Sequence, residues 1–489
     1  MTSFTPRPPT FIEAVVPVVF LIALVSLSFW LFGDSAAEGP NQTALILATM
    51  VAVAMGRLRG HSLDSMSHAA VTSVSAGLGA VFILFAVGAL IGTWALGGTL
   101  LAMAYYGLKL FDPAYFNLTA VTLCAVVSFA IGSSWTVVGT LGVGLMGVAY
   151  SLDLNPAIAA GAIISGAYFG DTTSPLSDSA NIAASTAGAK LYDHLRETLP
   201  NALAALCLTL VCFWMLEDVG SSDVPAEIAS IGDVIPMSPL LFLPLLVVIG
   251  LAVLRLPPFT TILSGAIAGG AVAVLMFPDR VIAFADAGDI PRVFALIKGG
   301  WLALASGYVS TTGDADIDLL ISRGGMESML PTVWLVMAAF AFGGIVEATG
   351  VLSRLVEPIV SSMRSLGSLI AAVVASVFSA NVITADQYLA IVLPGRMFRP
   401  ELRRRGYAPT VLSRAIGAAG TPTSALVPWN SCGAYMAVTL GIGTIDYAPY
   451  MFFGILSPLI AIVIAATSFR ALRIPPSEAE GQQNTSARP

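Results

Sequence analysis

One stretch limits what this chain can fold into: residues 161–185, GAIISGAYFGDTTSPLSDSANIAAS. It opens as an apolar run rich in Gly and Ala, the composition of a helix that packs closely against neighbours in a membrane. It then places Asp171, Thr172, Thr173, Ser174, Ser177, Asp178 and Asn181 where a lipid-embedded helix would stay apolar. Pro175 supplies a break, because it has no N–H for the carbonyl of Asp171 four residues earlier. Ser174, just before the proline, is pushed out of helical angles. A helix restarting there would take Ser174 as N-cap and Pro175 as its first residue, with Ser177 and Asp178 in the first turn. Each carboxylate at mid-membrane depth costs about 2.5–3.5 kcal/mol, so two in one segment demand a reason. A soluble loop with Asp178 as a plain cap is the alternative; apolar flanks and weak turn chemistry argue against it. Transporters hold cations with helices interrupted in this way at bilayer depth, where carbonyls, hydroxyls and carboxylates are free.

Composition places the stretch in a membrane. Of 489 residues, 56% are hydrophobic and 10% charged, with mean hydropathy +0.86. A soluble domain carries about 25% charged residues, so the fold class read here is an all-α polytopic membrane protein. The net charge of −7 is spread too thinly to suggest nucleic acid or an acidic ligand. Cys124, Cys207, Cys212 and Cys432 lack zinc-like spacing and read as small apolar side chains. The N-terminus carries no cleavage pattern, and residues 15–32 read as a retained first span.

Basic residues favour the cytoplasmic side. Arg7, the Arg57–Arg59 loop, the cluster Arg399, Arg403, Arg404 and Arg405, and a tail with Arg470 and Arg473 are all expected there. Both termini would then be cytoplasmic, with an even number of crossings, about twelve. Further apolar runs cover 43–55, 75–94, 96–111, 199–216, 240–254 and 261–277. The run 115–150 is too long for one span and is interrupted at Gly132-Ser133-Ser134-Trp135-Thr136. Residues 279–325 are mixed: Asp314, Asp316, Asp318 and Arg323 suit an interfacial segment, and 298–308 could dip into the membrane.

From residue 331 the early pattern returns. Gly97 is answered by Gly350 (350 − 97 = 253), Ser133 by Asn381 (381 − 133 = 248), and Asp171 by Thr421 (421 − 171 = 250). An internal duplication follows, with N-terminal spans at 1–60 and a first repeat at 69–217 broken at 132–136 and 171–175. Connecting spans fill 218–325; a second repeat at 326–470 is broken at 381–386 and 421–430, and a tail occupies 471–489. Such repeats are commonly inverted, with substrate at their interface.

The polar residues at these breaks suit Na+, a hard cation that prefers oxygen ligands. In the first half they are Ser133, Ser134 and Thr136, with Asp171, Thr172, Ser174, Ser177, Asp178 and Asn181. In the second half they are Asn381, Thr384, Asp386, Gln387 and Tyr388, with Thr421, Thr423, Ser424 and Asn430. Burial penalises a charged carboxyl group, so an aspartate there can take a proton or Na+ near neutral pH, the two ions competing for one site. Asp171 is the first candidate for Na+ and Asp178 the second. Glu347 is offered as a further ion or proton site, Asp386 as either an ion ligand or a helix cap, and Trp135 and Trp429 as walls. His61, His68 and His194 read as surface residues in polar connections, and Arg396 as an interfacial side chain or a carboxylate partner in preference to a substrate ligand.

At GSSWTVVGTLGVGLMG (132–147), GAYFGDTTSPLSDSANIAA (166–184), NVITADQYLAIVLPGRMF (381–398) and PTSALVPWNSCGAYM (422–436) the chain resembles the NhaC family of Na+/H+ antiporters. The resemblance implies a multi-pass protein of the bacterial cytoplasmic membrane, in contact with lipid, that exchanges Na+ (or Li+) for H+ and needs no cofactor. It also implies inverted repeats, a scaffold and a transport domain, and a homodimer. Family members that move malate and lactate leave a small organic anion or amino acid as the alternative cargo. Many members carry Lys-Met where this chain has Thr172-Thr173, which leaves the cargo more open. A channel filter is not evident, and neither HExxH nor GxSxG is present, so an enzyme is not expected.

Overall fold

The computed structural model describes residues 6–216, 228, 231–232, 234–288, 290–311, 318, 321–355, 365–467 and 472–473. Among these residues the chain is helical, with no strand beyond two isolated bridges. Two helices, α1 (Phe11–Phe32) and α2 (Pro40–Leu58), lead into α3 (Leu63–Ala76), α4 (Leu78–Leu96) and α5 (Thr99–Leu110). The first broken unit follows: α6 (Phe116–Ile131), α7 (Ser134–Val137), α8 (Val143–Ser151), α9 (Pro156–Thr173), α10 (Asp178–Ala187) and α11 (Leu191–Met215). Connecting helices are α12 (Leu243–Val253), α13 (Pro258–Met276), α14 (Pro278–Ala285) and α15 (Arg292–Ala305). The second unit comprises α16 (Leu330–Ala348), α17 (Leu366–Thr384), α18 (Gln387–Arg404), α19 (Pro409–Thr423), α20 (Ser431–Leu440), α21 (Thr444–Tyr447) and α22 (Phe452–Ala466).

Among the described residues, eight helices are long and apolar enough to cross a membrane, or nine if the bent pair at 444–466 counts as one. The rest of an expected dozen crossings would have to be assembled from the shorter helices on either side of the breaks. Large apolar side chains such as Trp30, Leu275 and Trp301 stand exposed, as a lipid-facing surface requires. Asp314 and Asp316, and most of the polar stretch 220–239, lie outside the described residues.

Small residues let the inner helices meet closely. A Cβ on Gly166 would sit 2.2 Å from the Val121 carbonyl oxygen, and one on Gly170 2.3 Å from the Phe129 nitrogen, so α9 lies directly against α6. Trp94, at the buried end of α4, donates its indole N–H to Gly265 O at 3.1 Å and ties α4 to α13.

The two broken units share a register. Gly132 and Ala385 both adopt left-handed φ, +81° and +57°, and 385 − 132 = 253. The residues that follow, Ser133 and Asp386, each cap the next helix. Ser177 and Asn430 cap α10 and α20 at the same spacing, and Gly188 and Gly441 end those helices in the left-handed region. Ser128 donates to Ala167 O at 2.6 Å in the first unit; Asn381 donates to Gly420 O at 2.9 Å in the second. Both partners again differ by 253. The structural register therefore pairs Ser133 with Asp386 and Asp171 with Ser424, in place of the sequence pairings with Asn381 and Thr421.

Charged ends group as well. The N-terminal segment joins the end of α2 through Arg7 N–H to Arg59 O at 3.0 Å. The end of α18, with Arg403, Arg404 and Arg405, meets the chain's last described residues through Ala408 N–H to Leu472 O at 2.9 Å.

Candidate functional site

The first break does not restart where the proline suggested. Ser174 ends α9 with extended angles (φ −75°, ψ 135°), as a residue before proline should. Its hydroxyl then accepts from the Leu176 N–H at 3.1 Å and closes a small turn. The helix begins only at Asp178, with Ser177 as N-cap accepting from Ala180 N–H at 3.3 Å. The expected cap at Ser174 is thus replaced by Ser177. Ser177 lies directly against the other break: a Cβ on Gly132 would fall 2.6 Å from the Leu176 carbonyl carbon and 2.8 Å from the Ser177 nitrogen.

Asp171 sits where these two turns meet, 6% exposed. Its Oδ2 accepts from Ser134 Oγ at 2.7 Å and Ser134 N–H at 3.2 Å. Its Oδ1 accepts from Ser177 Oγ at 2.6 Å and Ser179 Oγ at 3.0 Å. Ser134 and Ser179 lie in the first turns of α7 and α10, so two helix N-termini point at one carboxylate. An ionised carboxylate has about four lone-pair positions, and four donors fill them. A cation can replace a donor only if a serine hydroxyl turns to present its own oxygen.

Asp171 opens on a cavity of about 690 Å³. Ser133, Trp135, Thr136, Asp178, Ser179 and Asn181 line it from the first unit, and Asp386, Gln387, Tyr388 and Ser431 from the second. Arg255, in the α12–α13 connection with φ +64°, brings a guanidinium. The charged lining among the described residues is therefore three carboxylates and one cation. Ser133 Oγ accepts from Thr136 N–H at 3.3 Å, and Asn181 Nδ2 donates to Ser177 O at 2.8 Å. Asp178, in the first turn of α10, is more exposed than Asp171. Thr172 turns away, its hydroxyl bonded to Tyr168 O at 2.7 Å.

The second half contributes fewer lining groups than its sequence suggested. Asn381, Thr384, Thr421, Thr423, Ser424, Asn430 and Trp429 are absent from the cavity wall. The reason is mutual satisfaction. Asn381 Nδ2 donates to Thr423 Oγ1 at 3.0 Å, and Asn430 Nδ2 donates to Asn381 Oδ1 at 3.2 Å. Thr384 and Ser424 bond to the carbonyls of Ala380 and Thr421 at 2.9 and 2.6 Å. Trp429 donates to Val382 O at 2.7 Å. This network holds the second break in shape. Asp386 is a helix cap, its Oδ1 accepting from Leu389 N–H at 2.8 Å, and it also lines the cavity. Glu347 is exposed near the end of α16 and does not reach the cavity.

The two halves meet around the cavity. Trp135 stacks on Tyr435 with centroids 4.1 Å apart, and Tyr435 Oη donates to Trp135 O at 2.7 Å. His194 corrects the sequence reading: it lies inside α11, fully buried, with Nδ1 3.0 Å from Ser413 Oγ. Beside it, Arg414 and Glu197 approach to 3.6 Å. Ser179, Ser431 and Arg255 were not singled out as site residues. The eight-residue reach from Asp171 across the proline to Ser179 was the available signal for the first.

Known proteins resemble this chain along most of its length. A family model described as the Na+/H+ antiporter family matches residues 11–217 and 166–469. The Na(+)/H(+) antiporter NhaC of Alkalihalophilus pseudofirmus is 34% identical over 423 residues, covering 86% of this chain and 88% of its own. The arginine/ornithine antiporter ArcD of Halobacterium salinarum is 33% identical, covering 98% of each chain. The malate-2H(+)/Na(+)-lactate antiporter of Bacillus subtilis is 31% identical, covering 94% of this chain and 95% of its own. This is a multi-pass membrane transporter and not an enzyme. The chain belongs to the Na+/H+ antiporter family.

Proposed function

We propose that the protein exchanges Na+ for H+ across the cytoplasmic membrane by alternating access, with the two ions competing for Asp171. The observation that carries this is the single buried carboxylate at the meeting of two helix breaks, within hydrogen-bond reach of three serine hydroxyls and facing the cavity. With a proton bound, the carboxyl is neutral and the hydroxyls are free to donate elsewhere. With Na+ bound, the hydroxyl oxygens of Ser134, Ser177 and Ser179 turn to the ion and the carboxylate supplies the charge. The ions exclude each other because both need the same oxygens. Asp178, nearer the open side of the cavity, attracts cations to the site.

Both termini are assigned to the cytoplasm from the basic clusters at Arg57–Arg59 and Arg399–Arg405. Exchange between the repeats is assigned to the paired breaks, which share the register of 253 residues. In everted vesicles carrying an imposed ΔpH, adding Na+ should collapse the gradient, and Asp171→Asn should abolish the response without loss of folded protein. No Na+ response at any pH in the wild type would refute the reading.

A second reading has one observation behind it. The cavity, about 690 Å³, falls in the range of small-molecule sites, roughly 300–1,000 Å³, and is far larger than a bare ion needs. Its three carboxylates against one guanidinium favour an organic cation over an organic dianion. The relative named an arginine/ornithine antiporter makes a basic amino acid the first solute to try. Arginine-driven collapse of ΔpH would support this reading, and a flat response would remove it.

A further inference from the structure

We propose that Gln387 forms a second cation subsite across the cavity from Asp171, together with Asp386 and Ser431, for either a second Na+ or the ammonium group of an organic solute. The inference rests on reading the cavity as the cargo site. By the shared register Gln387 is the counterpart of Ser134 (387 − 134 = 253). Both are the first residue of a helix that restarts after a left-handed residue and its capping neighbour. Ser134 finds its partner in Asp171. The residue at the corresponding place in the second half is Ser424, whose hydroxyl is turned to the Thr421 carbonyl. Gln387 therefore lacks the partner that its position has in the first half.

Its side chain shows the consequence. Gln387 lines the cavity and is 5% exposed. Its Oε1 is buried with no hydrogen-bond partner among the described residues. A buried carbonyl oxygen left unmatched is costly, so such a group is normally satisfied by something the site is built to receive. The neighbouring groups narrow what that is. Asp386 caps α18 through Oδ1 and lines the same cavity. Ser431 contributes a hydroxyl to the same lining. Asp171, Asp178 and Asp386 outnumber Arg255 in the lining, so the cavity's net charge is negative. Oxygen acceptors in a negative field recognise a cationic centre, and no added anion or proton donor from the protein is needed.

The subsite also gives the second half a chemical role in exchange. Its own polar residues at 381, 423 and 430 are spent on one another, whereas Gln387 is held on the first turn of α18 with a buried, unpaired acceptor. A cargo spanning from Asp171 to Gln387 touches both breaks at once.

Equilibrium binding to the purified full chain in detergent, with choline as background cation, tests this directly. Radiolabelled Na+ and radiolabelled methylammonium serve as separate probes, which tells an ion subsite from an ammonium subsite. In the Asp171→Asn variant, binding of one probe should persist. Adding Gln387→Met should weaken it by about tenfold or more, the loss expected for one ligand to a charged group. Gln387→Glu should keep or tighten it, and its correct folding guards against a collapsed Met variant. Equal binding with Gln387→Met and wild-type Gln387, or equal weakening by Met and Glu, would overturn the subsite and leave only a water or a packing role. Failure of Na+ to collapse ΔpH in wild type, with Gln387-dependent binding intact, would refute the exchange reading alone.

Discussion

Removing one hydroxyl from Asp171 gives the sharpest quantitative test of the site. Ser177 Oγ donates to Asp171 Oδ1 at 2.6 Å, the shortest of the four contacts. A hydrogen bond to a charged group is worth about 1.5–3 kcal/mol. In Ser177→Ala the ionised carboxylate loses that support while the protonated form loses less. At 1.36 kcal/mol per pH unit, the pH of half-maximal exchange should move by about 1–2 units toward alkaline. Ser179 still donates to the same oxygen at 3.0 Å, which places the shift nearer the lower figure. The N-cap is lost as well, about 1 kcal/mol, and this reduces folded stability without moving the pH profile. Na+-induced ΔpH collapse in everted vesicles, at one sub-saturating Na+ concentration across a pH series, reads the shift. Ser185→Ala, on the exposed side of α10, is the control. An unchanged or acid-shifted profile in folded Ser177→Ala would refute the reasoning.

Gly132→Ala should be disruptive, because the new Cβ meets the Leu176–Ser177 backbone at 2.6–2.8 Å and the residue keeps φ +81°. Left-handed strain and overpacking together cost about 2 kcal/mol or more, read as a lower melting temperature in detergent. Ala385→Gly, at the matching position with φ +57°, should change stability by about 1 kcal/mol or less; a loss as large as that of Gly132→Ala would contradict the comparison. Outside the membrane, hydrogen bonds from Arg404 and Arg405 hold the Glu401 carboxyl down at about 2. A lowered folded value stabilises the fold above the unfolded carboxylate range and is lost as pH falls toward 2. Both arginines leave the pair partly solvated, so Glu401→Gln should cost about 1 kcal/mol or less at neutral pH and nothing in strong acid. A stability difference from wild type that persists in strong acid would contradict the assignment.

Much of the first half was legible in sequence because a proline acts through covalent geometry. Pro175 forces Ser174 to be extended and ends α9 at Thr173 whatever surrounds it. The restart was misplaced by three residues because Ser174 Oγ captures the Leu176 N–H, a side-chain choice that local pattern does not contain. In the second half the residue types suited an ion site by their chemistry, but asparagine carries both donor and acceptor. Asn381 and Asn430 satisfy each other in the packed interior, and only tertiary contact decides that. His194 stands in a polar sequence context, LYDHLRET, which hid its burial against Ser413, a residue 219 positions away. Offsets of 248, 250 and 253 were all visible in sequence, and choosing 253 for the breaks needed the left-handed angles of Gly132 and Ala385, since glycine and alanine do not look alike in a sequence.

Proton release on cation binding tests the central claim most directly. Purified protein in weakly buffered detergent, at a pH where exchange is active, should acidify the medium when Na+ is added, by close to one proton per Na+ that binds at Asp171. Asp171→Asn should release none. Na+ binding without proton release in the wild type, or release that persists undiminished in Asp171→Asn, would contradict competition of the two ions for that carboxylate.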